Sequence, residues 1–237
     1  MATAGGSRRT SSATVWESAM MNILPYIDLS WDASMEPAVT FIRYNVYRRP
    51  FGVASWTRVA IQSDRNRPHF DDYNAWSGVD YQYAVTVVKS SDNGEEIEGD
   101  YSNIVSAQLF CRSIFLHDIY APQFYVELLP MSSAITLQQE QVYLQARNRQ
   151  APTLHIGALE QRTLDVSTTS DWETDNDRSK ALALLMQRQR TNGAKLLARG
   201  WRFGGMFCQV ASIPRNDSPV VYGLQVSLLE VTHSEAV

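Results

Sequence analysis

Short apolar-rich runs, separated by turn chemistry about every 8–12 residues, fill the first half of the chain and restrict it to an all-β arrangement. In Tyr26–Trp31, Ile27, Leu29 and Trp31 fall on alternate positions. A strand has a side-chain period of two, so these three enter one core face while Tyr26, Asp28 and Ser30 take the other. Phe41–Arg49 is a second strand, stopped by Pro50, which cannot donate to a ladder. Trp56–Ile61 is a third. Tyr81–Val88 carries the strongest pattern, with Tyr81, Tyr83, Val85 and Val87 on one face. Ser90–Gly94 ends in Asn-Gly, residues that tolerate positive φ, and reads as a turn. Asn103–Leu109 closes the domain.

The order of these pieces resembles a fibronectin type III domain over about 85 residues. Trp31 in "DLSWDAS" matches that family's core tryptophan on an early strand, and "IRYNVYRR" is similar to its central strand. "SGVDYQYAVTVVKS" is similar to the segment bearing the tyrosine corner, and "DYSNIVSAQL" to the final strand. The resemblance makes Trp31 and Tyr81 framework residues, with the Tyr81 hydroxyl bonded to backbone upstream. It does not specify a function, because the fold hosts many. Trp56, Tyr73 and Trp76 lie near the expected turns. They are surface-recognition candidates for a sugar or receptor, although partial packing on the sandwich is the commoner role for aromatics there.

The second half changes character. Cys111–Asp118 begins a new apolar run, and Phe124–Leu129 is a strand ended by Pro130. Residues 133–150 are Gln-rich, and their apolar spacing fits neither period, so an extended or irregular segment is expected. Thr153–Gly157 and Arg162–Thr169 read as a strand pair. One helix is clear. Thr174–Asp177 supply side-chain oxygens for its first turn, and Ala181, Leu182, Leu185, Met186 and Gln189 trace one face. Arg188 and Arg190 suit the negative end of the dipole, and Asn192-Gly193 is a stop. A hairpin over Met206–Ile213 and Val220–Val231 follows, with Tyr222, Leu224, Val226 and Leu228 on one face. Gly204-Gly205 reads as a turn.

The succession "HIGALEQRTLDVSTTSD", "DRSKALALLMQRQRTNGAKLLAR", "RFGGMFCQVASI" and "YGLQVSLLEV" resembles the split-barrel domain of minor tail proteins from long-tailed bacteriophages. The likeness covers about 80 residues clearly and about 120 loosely, and no single motif in it is diagnostic. It implies a virion protein of the distal tail or baseplate, made in the host cytoplasm. It further implies a homo-oligomeric ring that contacts tail-tube, hub or tape-measure proteins, with the fibronectin-like domain outward. Trp201, Phe203, Met206 and Phe207 form an apolar group near the Gly204-Gly205 turn. Barrel core is their first reading and a subunit interface their second.

The expected architecture is therefore mainly β. A flexible arm over 1–14 precedes a fibronectin type III-like sandwich over 15–109 and a split β-barrel domain with one α-helix over 110–237. The chain has 237 residues and 44% are hydrophobic, enough for two packed cores. A net charge of −4 disfavours nucleic acid, whose phosphates need a basic face. No apolar run reaches the roughly 20 residues of a membrane span. The N-terminus does not read as a signal peptide. Cys111 and Cys208, far apart and in no metal-ligand spacing, are expected as reduced buried thiols, with a disulfide between the halves unsupported.

Catalytic groupings are sparse. His69, His117, His155 and His233 are scattered with no paired spacing, and His117 and Asp118, as strand neighbours, point to opposite faces. Glu95, Glu96 and Glu98 with Asp100 lack the calcium-loop pattern and are expected in a solvated acidic loop. Gly204-Gly205 has no phosphate-loop context. No catalytic, cofactor or metal residue is expected, and the chain reads as a non-enzyme. A carbohydrate- or receptor-binding module is the alternative. An accessory domain of an enzyme is a third reading, and it would need a catalytic neighbour, whereas the chain reads as complete at both ends.

Overall fold

The computed structural model describes residues 11–16, 24–130, 132–144, 153–169, 172–200, 203–213, 215–217 and 222–231. The chain is mainly β and divides into two compact units. One holds the chain up to Arg112 with the short segment Gly200–Gly205, and the other holds Ser113–Arg199 and Met206–Thr232.

The first unit contains β1 (Ser11–Trp16), β2 (Tyr26–Trp31), β3 (Phe41–Pro50), β4 (Thr57–Gln62), β5 (His69–Asp72), β6 (Asp80–Ser90), β7 (Glu96–Glu98) and β8 (Val105–Gln108). One antiparallel sheet has the order β1-β2-β5. The other runs β4-β3-β6-β7, with β8 also paired to β6. The alternation read in Tyr26–Trp31 is realised, with Ile27, Leu29 and Trp31 buried and Ser30 exposed. Trp31 meets Tyr44 of the other sheet edge to face, centroids 5.4 Å apart, so the two sheets share one core. The Trp76 amide donates to the Tyr81 hydroxyl at 3.4 Å, an upstream backbone contact of the kind expected of Tyr81. β6 departs from simple alternation. Ala84, Thr86 and Val88 are buried as fully as Tyr83, Val85 and Val87, because the strand is central.

Two expectations are corrected in this unit. The flexible arm expected over 1–14 does not extend to its end, since Ser11–Trp16 pairs along the whole of β2, from Ser11↔Trp31 to Trp16↔Tyr26. An otherwise bare edge of β2 gains a ladder of hydrogen bonds from it. Residues 1–10 lie outside the described residues. The acidic segment at Glu96–Glu98 is exposed, as expected, but it is strand β7, paired to β6, rather than a loop. Arg43 holds Glu96 through both nitrogens at 2.9 and 2.6 Å, and Asn45 and Tyr47 each donate to Glu98 at 2.8 Å. Partners on β3 draw the acids onto the sheet, a feature that local composition does not report.

The second unit contains β9 (Ile114–Asp118), β10 (Ala121–Leu128), β11 (Ser132–Leu144), β12 (Thr153–Thr169), α1 (Trp172–Asn192), β13 (Leu196–Gly200), β14 (Gly204–Ser212), β15 (Arg215–Asp217) and β16 (Tyr222–Glu230), except that Gly200 of β13 and Gly204 and Gly205 of β14 belong to the first unit. Its sheet has the order β10-β9-β13-β14-β16-β12-β11, with β15 also on β16. Among the described residues the sheet has two ends, β10 and β11, so the barrel expected for this half is not closed there. The stretch 133–150, expected as extended or irregular, is extended as far as Leu144, in the 13-residue strand β11, and residues 145–150 lie outside the described residues. The expected strand pair Thr153–Gly157 and Arg162–Thr169 is one 17-residue strand, β12. Gly157 does not reverse the chain. It lies where the β11–β12 register shifts between Gln139 and Gln141, and a glycine suits such a bulge.

The helix ends as its sequence predicts, with Gly193 at φ 62° just beyond Asn192. It buries Leu182 and Leu185. The Gln189 amide brackets β14, donating to the Cys208 carbonyl and accepting from the Val210 amide, both at 3.3 Å. Arg188 clasps Asp118 at 3.0 and 2.7 Å and lies 4.0 Å from the Phe124 ring centroid. Leu224, Val226 and Leu228 of β16 are buried on the predicted face. Cys111 and Cys208 are buried thiols that form no disulfide, and burial pushes the Cys208 thiol up to about 12.

Candidate functional site

Two surfaces carry features beyond what the cores require. The first is the end of the large sheet. Leu228 of β16 pairs with Leu164 of β12, and Leu164 pairs with Ile135 of β11. Leu228 and Leu164 are buried at 0% and 1%, yet Ile135 is 42% exposed and Leu137, on the same face, 65%. The apolar row thus runs past the covered core and out to the last strand. β11 is hydrogen-bonded to β12 along one side, and among the described residues no strand pairs with its other side. A long edge with exposed apolar residues is a template for pairing with another chain.

The second surface is the outer face of β2 and β5. Asp28 and Asp71 are directly paired across the strands, and His69 lies two residues before Asp71 on the same face. The His69 Nε2 is 3.0 Å from Asp28 Oδ1 and 3.1 Å from Asp71 Oδ1. Tyr26 and Tyr73 flank them, ring centroids 4.9 Å apart. Burial, then the charges of Asp71 and Asp28, raise the Tyr26 hydroxyl above its ordinary pKa. Burial, then Asp71 and Tyr26, do the same to Tyr73. Asp71 is itself raised, first by desolvation and further by Asp28, against the pull of His69 and Arg67. Sequence reading missed this constellation. Its only local trace is the His-x-Asp of β5, and Asp28 reaches it through cross-strand pairing alone.

The surface-recognition candidates do not form one platform. Trp56 stacks on Tyr101 with centroids 5.4 Å apart, and the Arg49 guanidinium lies 4.2 Å from its ring. Tyr47 meets Tyr101 edge on at 5.3 Å, and burial followed by Glu98 raises its hydroxyl to about 12, so it remains a donor in neutral solution. Tyr73 belongs to the Tyr26 pair. Trp76 packs against Gly205, where an added Cβ would come within 2.4 Å of the indole. Each of the three aromatics therefore has a different neighbour.

The interface candidates also separate. Met206 and Phe207 are 2% and 8% exposed, side chains of a core rather than of a surface offered to a neighbouring subunit. Phe203 is half-buried, and Trp201 lies outside the described residues. The burial of Met206 and Phe207 agrees with the core role that was the first reading of this apolar group, not with the interface role that was its second. The strand begins at Gly204 and carries them inward.

No protein-family model matches the chain, and no curated protein matches it either. Among solved structures, a chain from "Tail of empty GTA particle computed with helical refinement, C6 symmetry" is similar at 9% identity and a TM-score of 0.32. The match covers 51% of this chain and 92% of that one. At this similarity it decides neither fold nor function. Among the described residues no helix is long and apolar enough to cross a membrane.

Proposed function

We propose that this chain is a structural, non-enzymatic protein of a bacteriophage tail, placed at the tail tip as a component of a distal-tail or baseplate ring. The succession of strand, helix, short leucine-rich strand and closing hairpin supports the tail-protein reading. The observation that carries the ring is the open sheet end, where Ile135 and Leu137 continue a core face into solvent on an edge strand. A head-to-tail contact that closes by rotation would cover that edge in every copy. The first unit fits a fibronectin type III-like module, with its three-stranded and five-stranded sheets sharing one core around Trp31 and Tyr44. The alternative, a carbohydrate- or receptor-binding module, has weaker support, because Trp56, Tyr73 and Trp76 each pack against a different neighbour.

The test is the oligomeric state of the purified full chain, by light scattering and negative-stain imaging. Closed rings are expected, and Ile135→Glu with Leu137→Glu should shift them to monomer without loss of far-UV signal. A wild-type chain that stays monomeric at high concentration removes the ring. Gold label on particles carrying this chain, found along the tube rather than at the distal end, removes the tail-tip placement.

A further inference from the structure

The outer face of β2 and β5 poses a problem of charge. Two carboxylates directly opposite on neighbouring strands repel one another, and a protein normally avoids that arrangement or neutralises it. His69 stands between them, but its Nε2 carries at most one hydrogen and cannot give each oxygen a full hydrogen bond of its own. Asp71 Oδ1 is shielded from water and accepts no hydrogen bond, although His69 Nε2 is 3.1 Å away. A buried acceptor left in that condition costs free energy unless something else meets it.

The three donor atoms all lie within 4.8 Å of one another. A cation about 2.0–2.2 Å from an imidazole nitrogen and a carboxylate oxygen holds those two atoms roughly 3.0–3.5 Å apart in octahedral or tetrahedral geometry. The two observed N···O separations, 3.0 and 3.1 Å, match that range. The donors stand on two hydrogen-bonded strands whose inner face is core, with Ile27 and Leu29 buried beneath, so the backbone presents them in a set geometry.

From this geometry we propose that Asp28, His69 and Asp71 form a binding site for one divalent metal ion of the zinc or manganese class. One imidazole with two carboxylates is a mixed nitrogen and oxygen set. It suits borderline and first-row cations better than calcium or magnesium, which favour oxygen alone. Three protein ligands leave coordination positions for water or for a donor from another molecule. The ion would neutralise the Asp28–Asp71 repulsion, meet Asp71 Oδ1 and clip β2 to β5. The assignment uses residues of the first unit only and stands apart from the tail-ring reading.

The experiment is calorimetric titration of zinc chloride, then manganese chloride, into chelator-treated, untagged full-length protein at neutral pH. One ion per chain is expected for at least one of the two metals. His69→Ala and Asp71→Asn should each weaken binding at least about tenfold, whereas Asp177→Asn, on an exposed part of α1, should not. Thermal melting gives a second readout. The metal should raise the midpoint of the wild type and leave that of His69→Ala unmoved, with far-UV spectra confirming that both are folded. Absence of saturable binding by either metal overturns the site. Binding retained in His69→Ala overturns it too, since the metal then sits elsewhere. Calcium bound as tightly as zinc, and unaffected by loss of His69, reduces the cluster to a pair of acids and overturns the assignment.

Discussion

The two units bury an arginine–aspartate pair in different ways. In the first, Arg48 donates to Asp72 at 2.8 Å with side chains 3% and 2% exposed, and the pair joins β3 of one sheet to β5 of the other. The Tyr83 hydroxyl donates to the same carboxylate oxygen at 2.8 Å, and the Asn74 amide to the other oxygen at 2.9 Å. Burial works against the Arg48 charge, but Asp72 outweighs it, so the guanidinium pKa is raised and the charge is kept. In the second unit Asp118 is equally buried, at 2%, but its partner Arg188 on α1 is 22% exposed. The contrast follows from architecture. A link between the inner faces of two sheets must be dry on both sides, whereas a helix laid on a sheet can keep its guanidinium partly hydrated. Removing a carboxylate therefore strands a fully desolvated cation in one case and a partly solvated one in the other.

That difference sets the largest expected effect. Asp72→Ala should destabilise the first unit by about 3–5 kcal/mol, the range for breaking a buried pair. Urea unfolding followed by tryptophan fluorescence reads it. Asp118→Ala should cost about 1–3 kcal/mol, because Arg188 can turn to water and still lie against Phe124. Equal losses for the two variants would break the comparison. A loss for Asp72→Asn well below that for Asp72→Ala would sharpen it, by separating the hydrogen bonds of the site from its charge.

The smallest effect concerns acid. Burial alone would raise Glu98, but hydrogen bonds from Thr86, Asn45 and Tyr47 outweigh it and hold its pKa below the ordinary 4.5. Arg43 lowers Glu96 in the same direction. A carboxylate depressed in the folded state contributes stability that is full above its unfolded pKa and is lost as pH falls through the folded value. The urea midpoint of the first unit should therefore drop as pH falls below about 4.5, and Glu98→Gln should flatten that slope. An unchanged slope would mean that β7 contributes no linked protonation, leaving the Arg48–Asp72 pair as the first unit's main electrostatic tie.

Much of the fold was legible in residue order. The period of two in Tyr26–Trp31, the stop at Pro50, the Asn192-Gly193 helix end and the inward row on β16 are local patterns, set by neighbours a few residues away. What escaped was non-local. The polar composition at Ser11–Trp16 and after residue 132 hid two strands, because their stability comes from the ladders of β2 and β12 rather than from their own periodicity. The acids of β7 read as a loop because their partners Arg43, Asn45 and Tyr47 lie on a distant strand. The proposed site suffered the same way. Met206 and Phe207, by contrast, read first as core from their apolar character, and they are buried. Ile135 drew no special notice until pairing placed it at the sheet's end.

By itself, the sequence determined that this chain is mainly β with one helix, and which residues of β2 and β16 face inward. Those properties follow from short-range periodicity, turn chemistry and capping. Only the tertiary structure decided the order of strands, the open ends of the large sheet, the burial of Arg48 against Asp72 and the meeting of Asp28 with His69 and Asp71. Each depends on which strand lies beside which and in what register. A one-residue slip in that register would send every side chain of the strand to the opposite face.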